Sequence, residues 1–192
     1  MTANDENKDT AESTTKKIED LYKLIDGMDI AMFTTRRSDG QMVSRPMSTQ
    51  EHTAGTDLWF VTDVESHKID ELATEPHVNL AYYNSKTREY VSVAGTAKIS
   101  QDKNLIHGLY KPDWKAWFGD QGGARNGGPD DPRLALIVVT ANSVEYFITN
   151  KPKVVMMFEV AKALVTGGMP NVGEERSISQ QELNSSAARS VR

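Results

Sequence analysis

Trp59-Phe60-Val61-Thr62-Asp63-Val64-Glu65-Ser66-His67-Lys68 reads as a strand that passes through a tight turn into a helix. The turn sets a hydroxyl, an imidazole and an ammonium at the start of that helix. A helix N-terminus carries unpaired N–H groups and the positive end of the dipole, so it is a ready anion site. Ser66 can cap the helix or bond a phosphate oxygen, and Lys68 adds a full charge. The aromatic strand before the turn offers an apolar wall for a flat ring. A phosphate at one end and a planar ring at the other describe a nucleotide-like cofactor. The same residues also describe an ordinary strand–turn–helix with a Ser cap and solvated His67 and Lys68.

Upstream, Ile18, Leu21, Tyr22, Leu24 and Ile25 recur at helical spacing, and Gly27 ends the pattern. Ile30–Thr35 and Gln41–Thr49 are strands joined as a hairpin by Ser38-Asp39-Gly40. Downstream, Ile69, Leu72 and Ala73 mark one face of the helix, and Val78–Tyr83 and Tyr90–Ile99 are two further strands. Asp102 is placed to N-cap a helix through Leu109, which Lys111-Pro112-Asp113 breaks. Trp114–Phe118 is short and aromatic, and Gly119–Pro132 is a loop dense in Gly, Pro and Asp. Leu134–Thr140 is a buried strand, with Val144–Ile148 expected to pair with it. Val154–Val165 reads as a helix by its length and by Ala161 and Ala163, despite a β-branched start.

Short strands with regular turns and a few helices predict a mainly β, α+β fold: a small antiparallel barrel with peripheral helices. The interior of such a barrel is filled by side chains. A cofactor must therefore sit outside it, in a groove or at a subunit interface. Residues 1–13 read as a disordered N-terminal tail, 14–173 as one domain, and 174–192 as a flexible C-terminal tail.

The 192 residues suffice for one real core, and the net charge of -5 argues against a nucleic-acid partner. The absence of cysteine excludes disulfides, thiolate metal sites and a thiol nucleophile. No apolar run is long enough to span a membrane, and Met1–Asp9 is polar and acidic, unlike a signal peptide. A cytoplasmic protein with no membrane partner is expected.

Three patches resemble the flavin-binding split-barrel superfamily typified by pyridoxamine-phosphate oxidase, and within it the bacterial general stress proteins that bind flavin mononucleotide (FMN). They are Ser44-Arg45-Pro46-Met47, then Trp59 to Lys68, then Trp117-Phe118 followed by Pro129-Asp130-Asp131-Pro132-Arg133-Leu134-Ala135-Leu136 and Val144-Glu145-Tyr146. The resemblance implies a split barrel and a homodimer with two FMN sites at its interface. By the same resemblance, Arg45, Pro46 and Met47 lie along the flavin ring and ribityl chain, and Val61 and Thr62 lie beside it. Ser66, His67 and Lys68 hold the phosphate. The region of Trp114 and Trp117 is similar to a segment that reaches the flavin from the partner subunit.

Two departures narrow the activity. The oxidase pattern has Arg where this chain has His67, and an imidazole holds phosphate less strongly than a forked guanidinium. Gln50 stands where the oxidase has a Lys on the substrate side, and the Tyr, Arg and Ser that clamp its substrate phosphate have no counterpart. The resemblance thus implies the cofactor and, if there is turnover, an oxidoreductase of unstated substrate. The alternatives are a non-catalytic flavin-binding module, or a related barrel that takes deazaflavin or haem.

Other residues read as structural. Arg45 also has a structural reading, as an exposed edge-strand cation before Pro46. Of Trp59 and Phe60 at least one is core, and core filling is the default for Trp114 and Trp117. His52, His77 and His107 lack metal-ligand spacing, and Asp130-Asp131 reads as a solvated turn. The glycine pairs Gly122-Gly123 and Gly127-Gly128 do not follow a strand, so they form no dinucleotide loop. No catalytic acid or base stands out, and no metal site is expected.

Overall fold

In a computed structural model, which describes residues 12–50, 57–149, 152–168 and 170–190, the strands form one antiparallel sheet. Its path is β2 (Met42–Ser48), β1 (Ile30–Arg36), β4 (His77–Tyr83), β5 (Tyr90–Ser100), β6 (Leu134–Ile148) and β3 (Asp57–Asp63), with β7 (Glu174–Ile178) also on β6. Gln50, just past β2, bridges Trp59 of β3, and Gln50 N–H donates to the Trp59 carbonyl at 2.8 Å. That contact joins the two ends of the path, so the sheet curls into a split barrel.

Strand alternation explains the filled interior. Phe33, Phe60, Leu80, Val93, Ile137 and Val139 all point inward and are buried. Phe33 and Phe60 meet edge to face, with ring centroids 5.1 Å apart. Helix α1 (Thr14–Met28) covers this core with Leu21, Leu24 and Ile25. A second, smaller core lies outside the barrel, where Leu134 and Leu136 pack on Ile106 and Trp114. Ile106 belongs to α3 (Lys103–Leu109), which Asp102 caps by accepting from the N–H groups of Asn104 and Leu105. Trp114 ends a 3-10 turn, Pro112–Trp114, that leads into α4 (Lys115–Phe118). Helix α2 (His67–Thr74) follows β3, and α5 (Lys153–Thr166) separates β6 from β7. The mainly β, α+β split barrel with peripheral helices is as expected.

Three expectations need correction. Leu134–Thr140 and Val144–Ile148 are not a hairpin but one strand, β6. A bulge at Asn142, where the register on β5 shifts between Ala94 and Gly95, flips the inward parity from Val139 and Ala141 to Val144 and Tyr146. The Ala141-Asn142-Ser143 step between the two expected strands holds this bulge. The segment after Gly173 is not a free tail. β7 pairs with β6, and α6 (Gln180–Ser190) puts Leu183 into the core. Its polarity is explained by Arg176, which is buried and donates to Asp20 of α1 at 2.6 Å. Third, Asp131 is wholly buried rather than solvated. Of the N-terminal tail, residues 1–11 lie outside the described residues, as do His52 and the rest of 51–56, while Ser13 caps α1.

Candidate functional site

The turn from β3 into α2 is built by Asp63, whose carboxylate accepts from the Glu65 N–H at 2.8 Å. Ser66 occupies the N-cap position of α2 but makes no side-chain cap hydrogen bond. Its hydroxyl lies instead 3.2 Å from Thr62 Oγ1. Lys68 Nζ donates to Thr62 Oγ1 at 3.1 Å and to Ser66 Oγ at 3.2 Å. One ammonium and two hydroxyls therefore converge at a helix start that no side chain caps. Burial, and next the nearby Arg45 charge, hold the Lys68 ammonium below its ordinary 10.5.

A cleft of about 430 Å³ opens from this group. Pro46, Met47 and Ser48 form one wall, and Val61 and Thr62 the floor beside Lys68. Trp114, Trp117 and Phe118 form the far wall. Trp114 is buried, and its indole Nε1–H donates to Gln50 Oε1 at 3.2 Å. Trp117 is 87% exposed at the cleft mouth. This aromatic wall is anchored by Arg133, which is buried and donates to the carbonyls of Phe118 at 2.7 Å and Gly119 at 3.0 Å. Asp131 holds Arg133 through contacts of 3.1 and 2.8 Å and also accepts from the Gly127 N–H at 2.7 Å. The hydrogen bond from Arg133, ahead of the backbone bonds, keeps the Asp131 carboxyl far below the usual carboxylate range. The volume and the mix of apolar wall and few polar groups are those of a small-molecule site.

Of the nine residues singled out from the sequence, Pro46, Met47, Val61, Thr62, Lys68 and Trp117 line this cleft, and Ser66 bonds to two of its members. Trp114 and Trp117 face the cleft of their own chain. Arg45 and His67 line a neighbouring cleft of about 380 Å³, on the other side of the α2 start. There Arg45 is paired in a fork to Glu71, each bond 2.8 Å, and also donates to Thr35 Oγ1 at 2.8 Å. The Arg45 hydrogen bonds draw the Glu71 carboxyl below its ordinary 4.5. This pair ties α2 to the β1–β2 hairpin, and sequence reading missed Glu71. Gln50 is also more than a departure from a pattern, since it closes the barrel and orients Trp114. His77 pairs with Glu75 at 2.5 Å and His107 with Asp130 at 2.9 Å, both at the surface.

A family model described as Pyridoxamine 5'-phosphate oxidase like matches residues 16–171. The chain is 40% identical over 182 residues to Protein bli-3 of Neurospora crassa, covering 93% of this chain and 87% of that protein. Its fold is similar to the crystal structure of a putative general stress protein 26 from Jannaschia sp. CCS1, with a TM-score of 0.68 at 23% identity over 86% of this chain and 99% of that one. It is also similar to the general stress FMN/FAD binding protein of Xanthomonas citri, with a TM-score of 0.60 at 23% identity over 72% of this chain and 92% of that one. At these identities the two structures speak to the fold.

Proposed function

This chain belongs to the pyridoxamine 5'-phosphate oxidase like family, and on that premise we propose that it binds FMN in the cleft between β2, β3 and α2, as a flavoprotein of the general stress type. The observation that carries this reading is the pairing, in one cleft, of an aromatic and apolar wall with a cationic, hydroxyl-lined end at an uncapped helix start. Lys68, Ser66 and Thr62 would hold the phosphate. Pro46, Met47 and Val61 would lie along the ring, with Trp117 at its open edge. Arg45 and His67 flank the same helix start from the second cleft, and the Arg45 guanidinium adds positive potential. When bound, FMN supplies one- or two-electron transfer, and the protein supplies binding, orientation and ring electrostatics.

Among the cleft's lining residues only Asp63 and Lys68 are ionisable, and Asp63 is committed to the turn. That favours electron transfer at the flavin, or simple flavin binding, over acid–base chemistry on a substrate. The resemblance to split-barrel flavoproteins further supports a two-copy assembly, with the cleft at the subunit boundary. The test is an absorption spectrum of the purified protein before and after incubation with FMN and desalting. Retained flavin bands are expected; a colourless protein after loading would refute the cofactor reading.

A further inference from the structure

Among the described residues, helix α5 carries seven exposed large apolar side chains. Its sequence from Val154 to Val165, Val-Val-Met-Met-Phe-Glu-Val-Ala-Lys-Ala-Leu-Val, has only Glu159 and Lys162 as charges. Val154, Met157, Phe158, Leu164 and Val165 are 78, 74, 69, 83 and 87% exposed. With Val155 and Val160, which are also exposed, these side chains span about 220° of the helix circumference at about 100° per residue. An ordinary surface helix hides a stripe of about 100° and turns polar residues outward. Here the arc facing water is the apolar one, and only Met156, Glu159 and Ala163 are half-buried among the described helix side chains. A 14-residue helix is marginal on its own in water, so this arc calls for a cover.

The same chain offers a surface suited to it. The outward face of the edge strand β2 and of β1 presents Met42, Ser44, Pro46 and Ser48 beside Ile30, Met32 and Thr34 in register. Ile30, Met32 and Met42 are 43, 43 and 55% exposed. Only Arg36, at the end of the patch, is charged among the outward residues of these two strands. Each surface carries one exposed cation, Arg36 at the end of the β1–β2 patch and Lys162 within the α5 arc, and long cationic side chains can keep their heads in water while the apolar groups meet. The face also runs into the candidate cleft, because Ile30, Pro46 and Ser48 belong to both.

We propose that α5 is an exchanged arm, which in a two-fold dimer lies on the outward β1–β2 face of a second copy and walls the edge of that copy's cleft. In closed two-fold symmetry each copy gives one arm and receives one, so both apolar surfaces are covered. A membrane surface fits less well. A helix that lies on lipid carries a Lys- or Arg-rich polar face, and α5 sets its one lysine between Val154 and Val165 against one glutamate. The inference rests on the two-copy assembly proposed above and names the element that makes it.

The test is sedimentation of the wild type and of a Phe158→Glu/Leu164→Glu double variant, with circular dichroism as the check on folding. Both side chains are exposed, so the isolated fold should tolerate the change. The expected result is two chains for the wild type and one for the variant, with unchanged spectra. As a second measurement, amide exchange across 154–165 in the wild type should slow as protein concentration is raised. A single-chain wild type would overturn both the assembly and the arm. A variant that remains two chains, together with exchange indifferent to concentration, would overturn the arm alone. Protection of 154–165 only on phosphatidylglycerol vesicles would put lipid in place of the second copy. None of these readouts uses flavin, so the cofactor reading can fail or hold independently.

Discussion

Replacing Lys68 by Met separates a residue kept for binding from one kept for folding. Met preserves most of the stem but removes the ammonium, whose only described acceptors are Thr62 Oγ1 at 3.1 Å and Ser66 Oγ at 3.2 Å. Both are neutral hydroxyls, a weak return for a half-buried cation. Burial and the Arg45 charge already hold its pKa below 10.5. A lysine whose folded pKa is depressed disfavours folding while it is charged, and stability rises with pH through the window just under 10.5. Lys68→Met should therefore leave the urea midpoint at pH 7 unchanged or higher. Its effect on a phosphate ligand has the opposite sign. A charge-assisted hydrogen bond contributes about 1.5–3 kcal/mol, so the Kd for FMN should rise about 10- to 150-fold. In the wild type that contribution is present while the ammonium is protonated and fades as alkaline pH deprotonates it. The assay is a titration followed by flavin fluorescence, with riboflavin, which lacks the phosphate, as the control. An FMN Kd within about twofold of wild type, or an equal loss for riboflavin, would refute the assignment of Lys68 to the phosphate.

Asp131→Asn should lower stability by about 3–5 kcal/mol in chemical denaturation, since it leaves Arg133 buried without its counter-charge; a loss under about 1 kcal/mol would show that the pair is not what anchors the loop. Gly95→Ala should cost about 1–3 kcal/mol by the same assay, because the new Cβ would stand 2.7 Å from Val139 Cγ1 and 2.8 Å from the Thr140 carbonyl oxygen at the bulge. Glu71 and Asp131 both titrate below their ordinary range, so the stability they add is full above about pH 4–5 and is lost as pH falls toward their folded pKa values. Thermal midpoints measured from pH 6 down to pH 3 should fall, and Glu71→Gln should flatten part of that slope.

What was legible in the sequence was mostly local. The β1–β2 hairpin follows from alternation and a three-residue polar turn in which Gly40 takes φ 84. The Thr62, Ser66 and Lys68 cluster lies within seven residues of chain, where one strand–turn–helix fixes the geometry. What was hidden depends on distant partners. Arg176 reads as a solvated tail residue until Asp20, 156 positions away, is seen to receive it. Gln50 reads as a lost lysine until Trp114, 64 positions on, donates to it. Asp131 reads as half of a polar turn, yet the residue two positions on takes its charge inside. Buried ion pairs look like surface in composition, and only the fold distinguishes them. The bulge at Asn142 misleads for another reason: the extra residue shifts the alternation by one.

The placement of Arg45 and Lys68 in two separate clefts follows from the same local rules. Alternation along β2 sends Arg45 to one side and Pro46 to the other. Consecutive positions at the α2 start send Lys68 toward the candidate cleft and His67 toward its neighbour. The helix N-terminus lies between them. Arg45 lowers the pKa of Lys68, so the two cations work against each other across that terminus. Glu71 compensates Arg45 but is spent on it, through both oxygens at 2.8 Å. Lys68 has two hydroxyls as its described hydrogen-bond partners, while the Asp63 and Glu71 charges reach it only through space and do not offset burial and Arg45. An anion seated at the α2 start would relieve the repulsion, supply Lys68 with a counter-charge and take up N–H groups that Ser66 does not cap. Arg45 need not leave Glu71 to take part, since its charge acts through space while its hydrogen bonds hold α2 in place. If FMN binds here as proposed, Arg45 would supply position and potential and Lys68 the contact, and Lys68→Met and Glu71→Gln should be separable: the first lowers affinity without lowering stability, the second changes stability with pH.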